Sequence, residues 1–183
     1  MLNANTAVWS IERDGVPLQG IGAAELLSQP LTAFFASRRC PGVAIRAGTD
    51  WALTQARAKQ AVVSGFHSPL EQSALKLLLQ AKSPVVAVIA RPLEGARLDR
   101  DWLTAIAEGR MAVVSSHTAK GRLSEMLAVE RNDVAALLAS RIVIAHTEPG
   151  GTLEAAVVRW TLAGQAVETL SPHCNSQRCL KAR

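Results

Sequence analysis

The chain has 183 residues, of which 49% are hydrophobic and 19% are charged. This length is typical of one domain, and the hydrophobic fraction excludes a disordered chain, which would be poor in apolar residues and rich in charge. The formal net charge of +5 suggests a nucleic-acid partner, but residues 171–183 alone carry three basic and no acidic residues. Residues 1–170 therefore have a net charge of only +2, which favours a local anion site over a broad basic surface.

The expected location of the protein follows from three further features. Three scattered cysteines, Cys40, Cys174 and Cys179, are too few for a disulfide framework. No apolar run approaches the ~18–20 residues of a membrane span, and the N-terminus lacks the basic start and apolar core of a signal peptide. We expect a soluble cytoplasmic protein with no membrane partner, ending in a flexible basic tail over residues 171–183.

Residues 1–42 are predicted to form an N-terminal extension packed on the main domain. Residues 7–11 alternate in polarity like an edge strand, and Asp14-Gly15 is a turn signal. Residues 23–35 are predicted to hold one or two short helices interrupted at Pro30, and residues 38–42 resemble a connector.

From residue 43 to residue 170, short apolar runs alternate with helical segments. Ser68 and Pro69 suit the start of a helix, and Gly164 suits the end of another. The predicted helices cover residues 69–81, 123–138 and 152–163, and the predicted strands cover residues 43–45, 61–63, 84–90, 111–114, 142–145 and 166–170. Strands that are apolar throughout are typical of a sheet covered on both faces. The fold class predicted is α/β: a Rossmann-like open parallel sheet of about six strands with helices on both faces.

Candidate ligand-binding residues follow the predicted strands, because ligands of such sheets bind beyond the carboxyl ends of the strands. Glycine permits close approach of a phosphate, a helix N-terminus favours an anion, and arginine pairs with phosphate in bidentate fashion. The residues in these loops are Gly48, Gly65, Ser68, Arg91, Gly150, Gly151 and Thr152. The alternative is that these loops use glycine and serine only for their turns.

Several other kinds of site are disfavoured. The chain lacks G-x-G-x-x-G, G-x-x-x-x-G-K-[ST] and G-x-S-x-G, which mark dinucleotide sites, P-loops and serine hydrolases. His67, His117 and His146 fall near strand ends but lack the spacing of metal ligands. We predict neither a metal nor a cofactor.

Three segments resemble a known family. Residues 64–71 read S-G-F-H-S-P-L-E and are similar to S-G-x-A-x-G-I-D in the Rossmann-like domain of the DNA-processing protein A (DprA/Smf) family. Arg131-Asn132 is similar to the start of that family's R-N-x-x-I-A-x-L-S, and residues 150–155 resemble its G-S-L-x-T-A turn. The resemblance covers residues 42–170. The family's G-S-R after the first strand is absent at the predicted place, where residues 46–49 read R-A-G-T.

The resemblance implies a homodimeric Rossmann-like domain that binds single-stranded DNA and helps to load recombinase during transformation. It adds Arg131 and Asn132 to the ligand-binding residues. The ligand could equally be a nucleotide or another phosphate. A third reading is a scaffold without a small ligand, in which the four dispersed tryptophans serve core or dimer contacts.

The alternative function is enzymatic. Residues 149–154 resemble the P-G-G-x-G-T-x-x-E signature of LOG-type phosphoribohydrolases, which cleave nucleoside monophosphates, but are two residues shorter between glycine and threonine. In that reading Arg131 and Glu154 are the candidate catalytic residues, with Glu154 stabilising an oxocarbenium-like transition state. Alternatively, Glu154 is an acidic residue in the first turn of a helix, where the helix dipole favours it. We expect a binding protein rather than an enzyme.

Overall fold

The computed structural model describes residues 7–117 and 125–170. These residues form the strands β1 (Val8–Arg13), β2 (Val16–Gly22), β3 (Thr32–Ala36), β4 (Val62–Ser64), β5 (Val85–Val88), β6 (Met111–Ser115), β7 (Arg141–His146) and β8 (Val167–Thr169). They also form the helices α1 (Gly42–Ala58), α2 (Pro69–Gln80), α3 (Arg100–Ala107), α4 (Glu125–Leu138) and α5 (Thr152–Leu162), and a 3-10 helix at Ala24–Ser28.

The strands form one sheet in the order β1-β2-β6-β5-β4-β3-β7-β8. Strands β3 to β8 are mutually parallel, whereas β1 and β2 are added antiparallel at the β6 side. From β3 the chain moves stepwise outward to β6 and then returns to place β7 on the other side of β3. The carboxyl ends of β3 and β7 are thus the point at which the strand order reverses, where open α/β sheets bind their ligands.

Two apolar layers cover the sheet. Phe34 and Phe35 are adjacent in β3 and point to opposite faces, as the strand period of two requires. Phe34 stacks on Trp51 of α1 with ring centroids 4.5 Å apart, and Phe35 packs on Trp160 of α5 at 4.9 Å. Helices α1 to α3 pack on the first face, and α4, α5 and the 3-10 helix pack on the second. The predicted α/β class is confirmed, with eight strands rather than about six.

The first predicted strand is wrong, because residues 43–45 lie in α1. Val43 and Ile45 have exposed fractions of 59% and 46%, and only Ala44 between them is buried. Ala44, Gly48 and Ala52 recur at intervals of four and are buried, which is the period of a helix face. The first parallel strand is β3, whose five residues are all buried; it lies where short helices were predicted.

The N-terminal segment supplies three strands of the sheet. The predicted edge strand and turn are confirmed: β1 and β2 form a hairpin, with Asp14 and Gly15 at φ values of 47° and 79°. Strand β2 and helix α3 were not predicted from the sequence. The other five predicted strands and the three predicted helices are present, although the predicted start of the helix at residue 123 and the tail at 171–183 lie outside the described residues.

Candidate functional site

A cleft of about 700 Å³ opens at the carboxyl edge of the sheet. It lies over the ends of β3, β4 and β7 and is closed on one side by α4 and the start of α5. Its polar and charged lining residues are Ser37, Arg38, His67, Ser68, Glu71, Arg131, Asn132, Glu148 and Thr152, joined by Gly150 and Gly151. The cleft therefore coincides with the reversal of strand order, where the topology favours a ligand site.

Arg131 of α4 lines the cleft as a largely buried side chain, with 8% of its surface exposed. Its Nε and Nη2 atoms donate to Oδ1 of Asn132 at 3.3 and 3.0 Å, which fixes the orientation of the guanidinium. Burial lowers the pKa of Arg131; the negative charge of Glu71 opposes this effect, and the positive charge of Arg38 adds to it.

Gly65 makes room for this arginine. A Cβ atom at Gly65 would overlap the Nε, Cδ and Cζ atoms of Arg131. The sequence predicted that Gly65 allows a phosphate to approach; in the structure the group that approaches it is the Arg131 side chain itself.

Glu71 is a buried carboxylate that joins two loops of the cleft. Its Oε1 atom accepts the N–H of Ala36 at 3.0 Å, and its Oε2 atom accepts the N–H groups of His67 and Ser68 at 2.8 and 3.2 Å. Ser68 in turn accepts the Glu71 N–H at 3.3 Å, which completes a capping box at the start of α2. Burial raises the pKa of Glu71, although these N–H groups and Arg131 act against the rise. Ser68 was predicted as the helix cap, and the S-x-x-E spacing is the signal that would have found Glu71.

Ser37 and Arg38 were missed because β3 was missed. The Ser37 Oγ atom accepts the N–H of Glu148 at 2.9 Å, and the Ser37 N–H donates to the carbonyl of His146 at 3.0 Å, so the loops after β3 and β7 are tied together. Arg38 is exposed beside them and lines the cleft. The S-R of the family motif G-S-R is therefore present at Ser37-Arg38, with Ala36 in place of the glycine.

The start of α5 carries Gly150 and Gly151 to the cleft. Gly150 has a φ of 72°, a conformation that favours glycine, and its N–H donates to Oε2 of Glu154 at 2.8 Å. Glu154 is thus occupied with its own loop and does not line the cleft. Since the predicted carboxylate turns away from Arg131, the LOG-type alternative is not favoured.

Two predicted residues lie away from the cleft. Gly48 packs inside α1, where a Cβ atom would come 2.9 Å from Leu70, so the prediction that it borders a ligand loop is wrong. Arg91 follows β5 as expected, but its Nη2 atom donates to the Arg97 carbonyl at 3.0 Å and its side chain does not line the cleft. Gly65 does not line the cleft itself but packs against Arg131, which does. The other predicted ligand-binding residues line the cleft: Ser68, Arg131, Asn132, Gly150, Gly151 and Thr152.

His67 contributes little positive charge to the cleft at neutral pH. Partial burial lowers its pKa, and the positive charges of Arg131 and Arg38 lower it further. Because the ordinary pKa of a histidine is already about 6.5, a histidine whose pKa is lowered is mostly neutral at pH 7. Among the described residues that line the cleft, the positive charge therefore comes from Arg38 and Arg131.

Solved structures of other proteins share this fold. DNA processing protein A (DprA) from Streptococcus pneumoniae has a TM-score of 0.72 at 19% identity, covering 91% of this chain and 63% of its own. DprA from Helicobacter pylori, described as having a unique single-stranded DNA binding mode, has a TM-score of 0.73 at 14% identity, covering 93% and 84%. The molybdenum cofactor binding protein of Rippkaea orientalis has a TM-score of 0.55 at 10% identity, covering 77% and 76%. Identities this low establish a common fold, and the chain spans less than two thirds of the S. pneumoniae protein.

The sequence itself identifies the family. A comparison with curated proteins found no significant match. Residues 8–178, however, match the family described as DNA recombination-mediator protein A, a range that includes the N-terminal hairpin, the whole cleft and helices α1 to α5. The chain belongs to the DNA recombination-mediator protein A family.

Proposed function

We propose that this protein binds single-stranded DNA by holding a backbone phosphate in the cleft against Arg131. The observation that carries the proposal is the buried guanidinium of Arg131, oriented by Asn132 at the point where the strand order reverses. Arginine matches a phosphate with two parallel hydrogen bonds. Arg38 adds a second positive charge, and the Ser68 hydroxyl, which only accepts from Glu71, still has its hydrogen to donate.

The lining of the cleft supports recognition of the backbone rather than of the bases. Within the part of the chain that the structure describes, the residues that line it include no phenylalanine or tryptophan on which a base would stack. Phosphate contacts position a strand without reading its sequence. We therefore expect the protein to show little preference among base sequences. We further propose that it acts in DNA processing and that it does so in the cytoplasm.

Replacing Arg131 with alanine should weaken binding of an oligothymidylate by about 10- to 100-fold, the worth of a charged hydrogen bond of about 1.5–3 kcal/mol. Fluorescence anisotropy at low salt measures this affinity. Loss of one phosphate contact should also reduce the slope of log affinity against log salt by about 0.7.

Arg57→Ala is the matched control for this experiment. Arg57 is an exposed arginine in the last turn of α1, at the opposite edge of the sheet from the cleft, so its removal should leave affinity within about twofold of wild type. Equal affinity of Arg131→Ala and Arg57→Ala would contradict the proposal.

We further propose a homodimer that uses the outer face of α5. Leu162 and Val158 on this helix have exposed fractions of 83% and 54%, beside the edge strand β8. Exposed apolar residues of this size favour an interface. Measurement of the molar mass in solution tests the dimer. A dimer that Leu162→Glu converts to a monomer supports the proposal, and a monomeric wild type contradicts it.

Among the helices of residues 7–117 and 125–170, none combines the length and the hydrophobicity that a membrane span requires.

A further inference from the structure

Two positive and two negative side chains line the cleft among the described residues. Arg38 and Arg131 are positive, and Glu71 and Glu148 are negative. The two glutamates differ in what they present to a ligand. Glu71 is 5% exposed, accepts three backbone N–H groups and acts on the nearby Arg131, so its carboxylate oxygens are bonded within the protein and are not presented to a ligand. Among the described residues, the charged groups that a ligand in the cleft meets are therefore the guanidinium groups of Arg38 and Arg131 and the carboxylate of Glu148.

Glu148 is held in place by its backbone. Its N–H donates to the Ser37 hydroxyl at 2.9 Å, and its carbonyl accepts the N–H of Gly151 at 2.9 Å. Its side chain is 48% exposed, and its carboxylate lies 3.9 Å from the Arg39 guanidinium. The Arg39 side chain is 89% exposed, so this ion pair offsets the charge of Glu148 only weakly. The backbone of Glu148 is thus fixed at the rim of the cleft, and Arg39 offsets the negative charge of its side chain only slightly.

We propose that Glu148 shifts the preference of the cleft towards the phosphodiester of an internal nucleotide and away from the terminal phosphate of a phosphomonoester. A phosphodiester carries one negative charge, so the Glu148 carboxylate repels a single charge. A phosphomonoester carries about two charges above its second pKa of about 6 and meets twice the repulsion from Glu148. This inference rests on the proposed binding of single-stranded DNA. It adds that the cleft favours the internal phosphates of the strand over a terminal phosphate.

A competition experiment tests the selectivity. A labelled oligothymidylate without terminal phosphates is bound to the protein at pH 8 and displaced by one of two unlabelled competitors. One is the dinucleoside monophosphate of thymidine, which has a single phosphodiester, and the other is thymidine 5′-monophosphate. Because repulsion scales with ligand charge, Glu148→Gln should improve competition by the diester about threefold and by the monoester about tenfold.

For each protein, the ratio of the half-maximal competing concentration of the monoester to that of the diester is determined. The deciding quantity is the change in this ratio between the wild type and Glu148→Gln. This ratio cancels the difference in size between the competitors. Glu25→Gln, an exposed glutamate in the 3-10 helix that precedes β3, should leave the ratio unchanged. A ratio that is the same in wild type and Glu148→Gln would overturn the inference.

The same experiment separates the two proposals. If the labelled oligothymidylate binds and Arg131→Ala releases it, the proposed function stands whatever the competitors do. If the oligonucleotide does not bind, or binds equally well to Arg131→Ala, the proposed function is wrong and the selectivity of Glu148 falls with it.

Discussion

Replacement of Glu71 with alanine is expected to lower the free energy of unfolding by about 3–5 kcal/mol, the largest loss we predict for a single substitution. Three backbone N–H groups, those of Ala36, His67 and Ser68, would lose their acceptor in a region shielded from water. The largely buried Arg131 would also lose the nearby negative charge that offsets the cost of its burial. Urea denaturation followed by circular dichroism measures the change.

The control for this substitution is Glu25→Ala, which removes an exposed glutamate of the same size. Its effect should remain within about 0.5 kcal/mol, as is usual for surface positions. A loss below about 1 kcal/mol in Glu71→Ala would show that the loops after β3 and β4 do not depend on this carboxylate.

Replacement of Gly65 with alanine is expected to reduce affinity for oligothymidylate by about tenfold or more while leaving the protein folded. The added methyl group would occupy the position of the Arg131 guanidinium stem, so the arginine would have to move away from its place beside Asn132. Overpacking of this kind costs about 1–3 kcal/mol of stability. Anisotropy and thermal unfolding measured on the same preparation separate the two effects.

Gly42→Ala provides the comparison for Gly65→Ala. Gly42 begins α1, and the space that a Cβ atom would occupy there is open, so alanine should leave both affinity and stability close to wild type. If Gly65→Ala binds as tightly as Gly42→Ala, the position of the Arg131 side chain does not determine binding.

The sequence predicted every strand of the sheet except β2 and β3, and for β3 the reason is physical. Strands β5, β6 and β7 are runs of β-branched and apolar residues, which have no competing interpretation as surface helix. Residues 43–45 have the same composition. Their local sequence is equally compatible with a helix, which buries Ala44 and exposes Val43 and Ile45. Only the tertiary contacts of β3, with Phe34 and Phe35 on opposite faces, decide between the two.

That single error carried over into the site. Loops after β4 and β7 and the Arg131-Asn132 pair were found, because their residues could be read from turn chemistry or from the family resemblance. Ser37 and Arg38 were not, since a loop is recognised as a ligand loop only when the strand before it is known. The role of Glu71 depends on three N–H groups from two loops that meet only in the folded chain.

The glutamates at the α5 turn show a second limit of sequence patterns. Glu154 falls near the position of the LOG-type carboxylate, and only the structure shows that it accepts the Gly150 N–H instead. Glu148 belongs to no motif, yet the backbone bonds to Ser37 and Gly151 set its carboxylate at the rim of the cleft. Charge placement in this site is therefore a property of the loops' hydrogen bonds.

The central claim is that Arg131 holds a phosphate of single-stranded DNA in the cleft, and a crystal structure of the protein with a short oligothymidylate tests it most directly. We predict a backbone phosphate within hydrogen-bond distance of the Arg131 guanidinium, between the loops that carry Arg38 and Ser68. An oligonucleotide bound elsewhere on the surface, with no phosphate at Arg131, would contradict it.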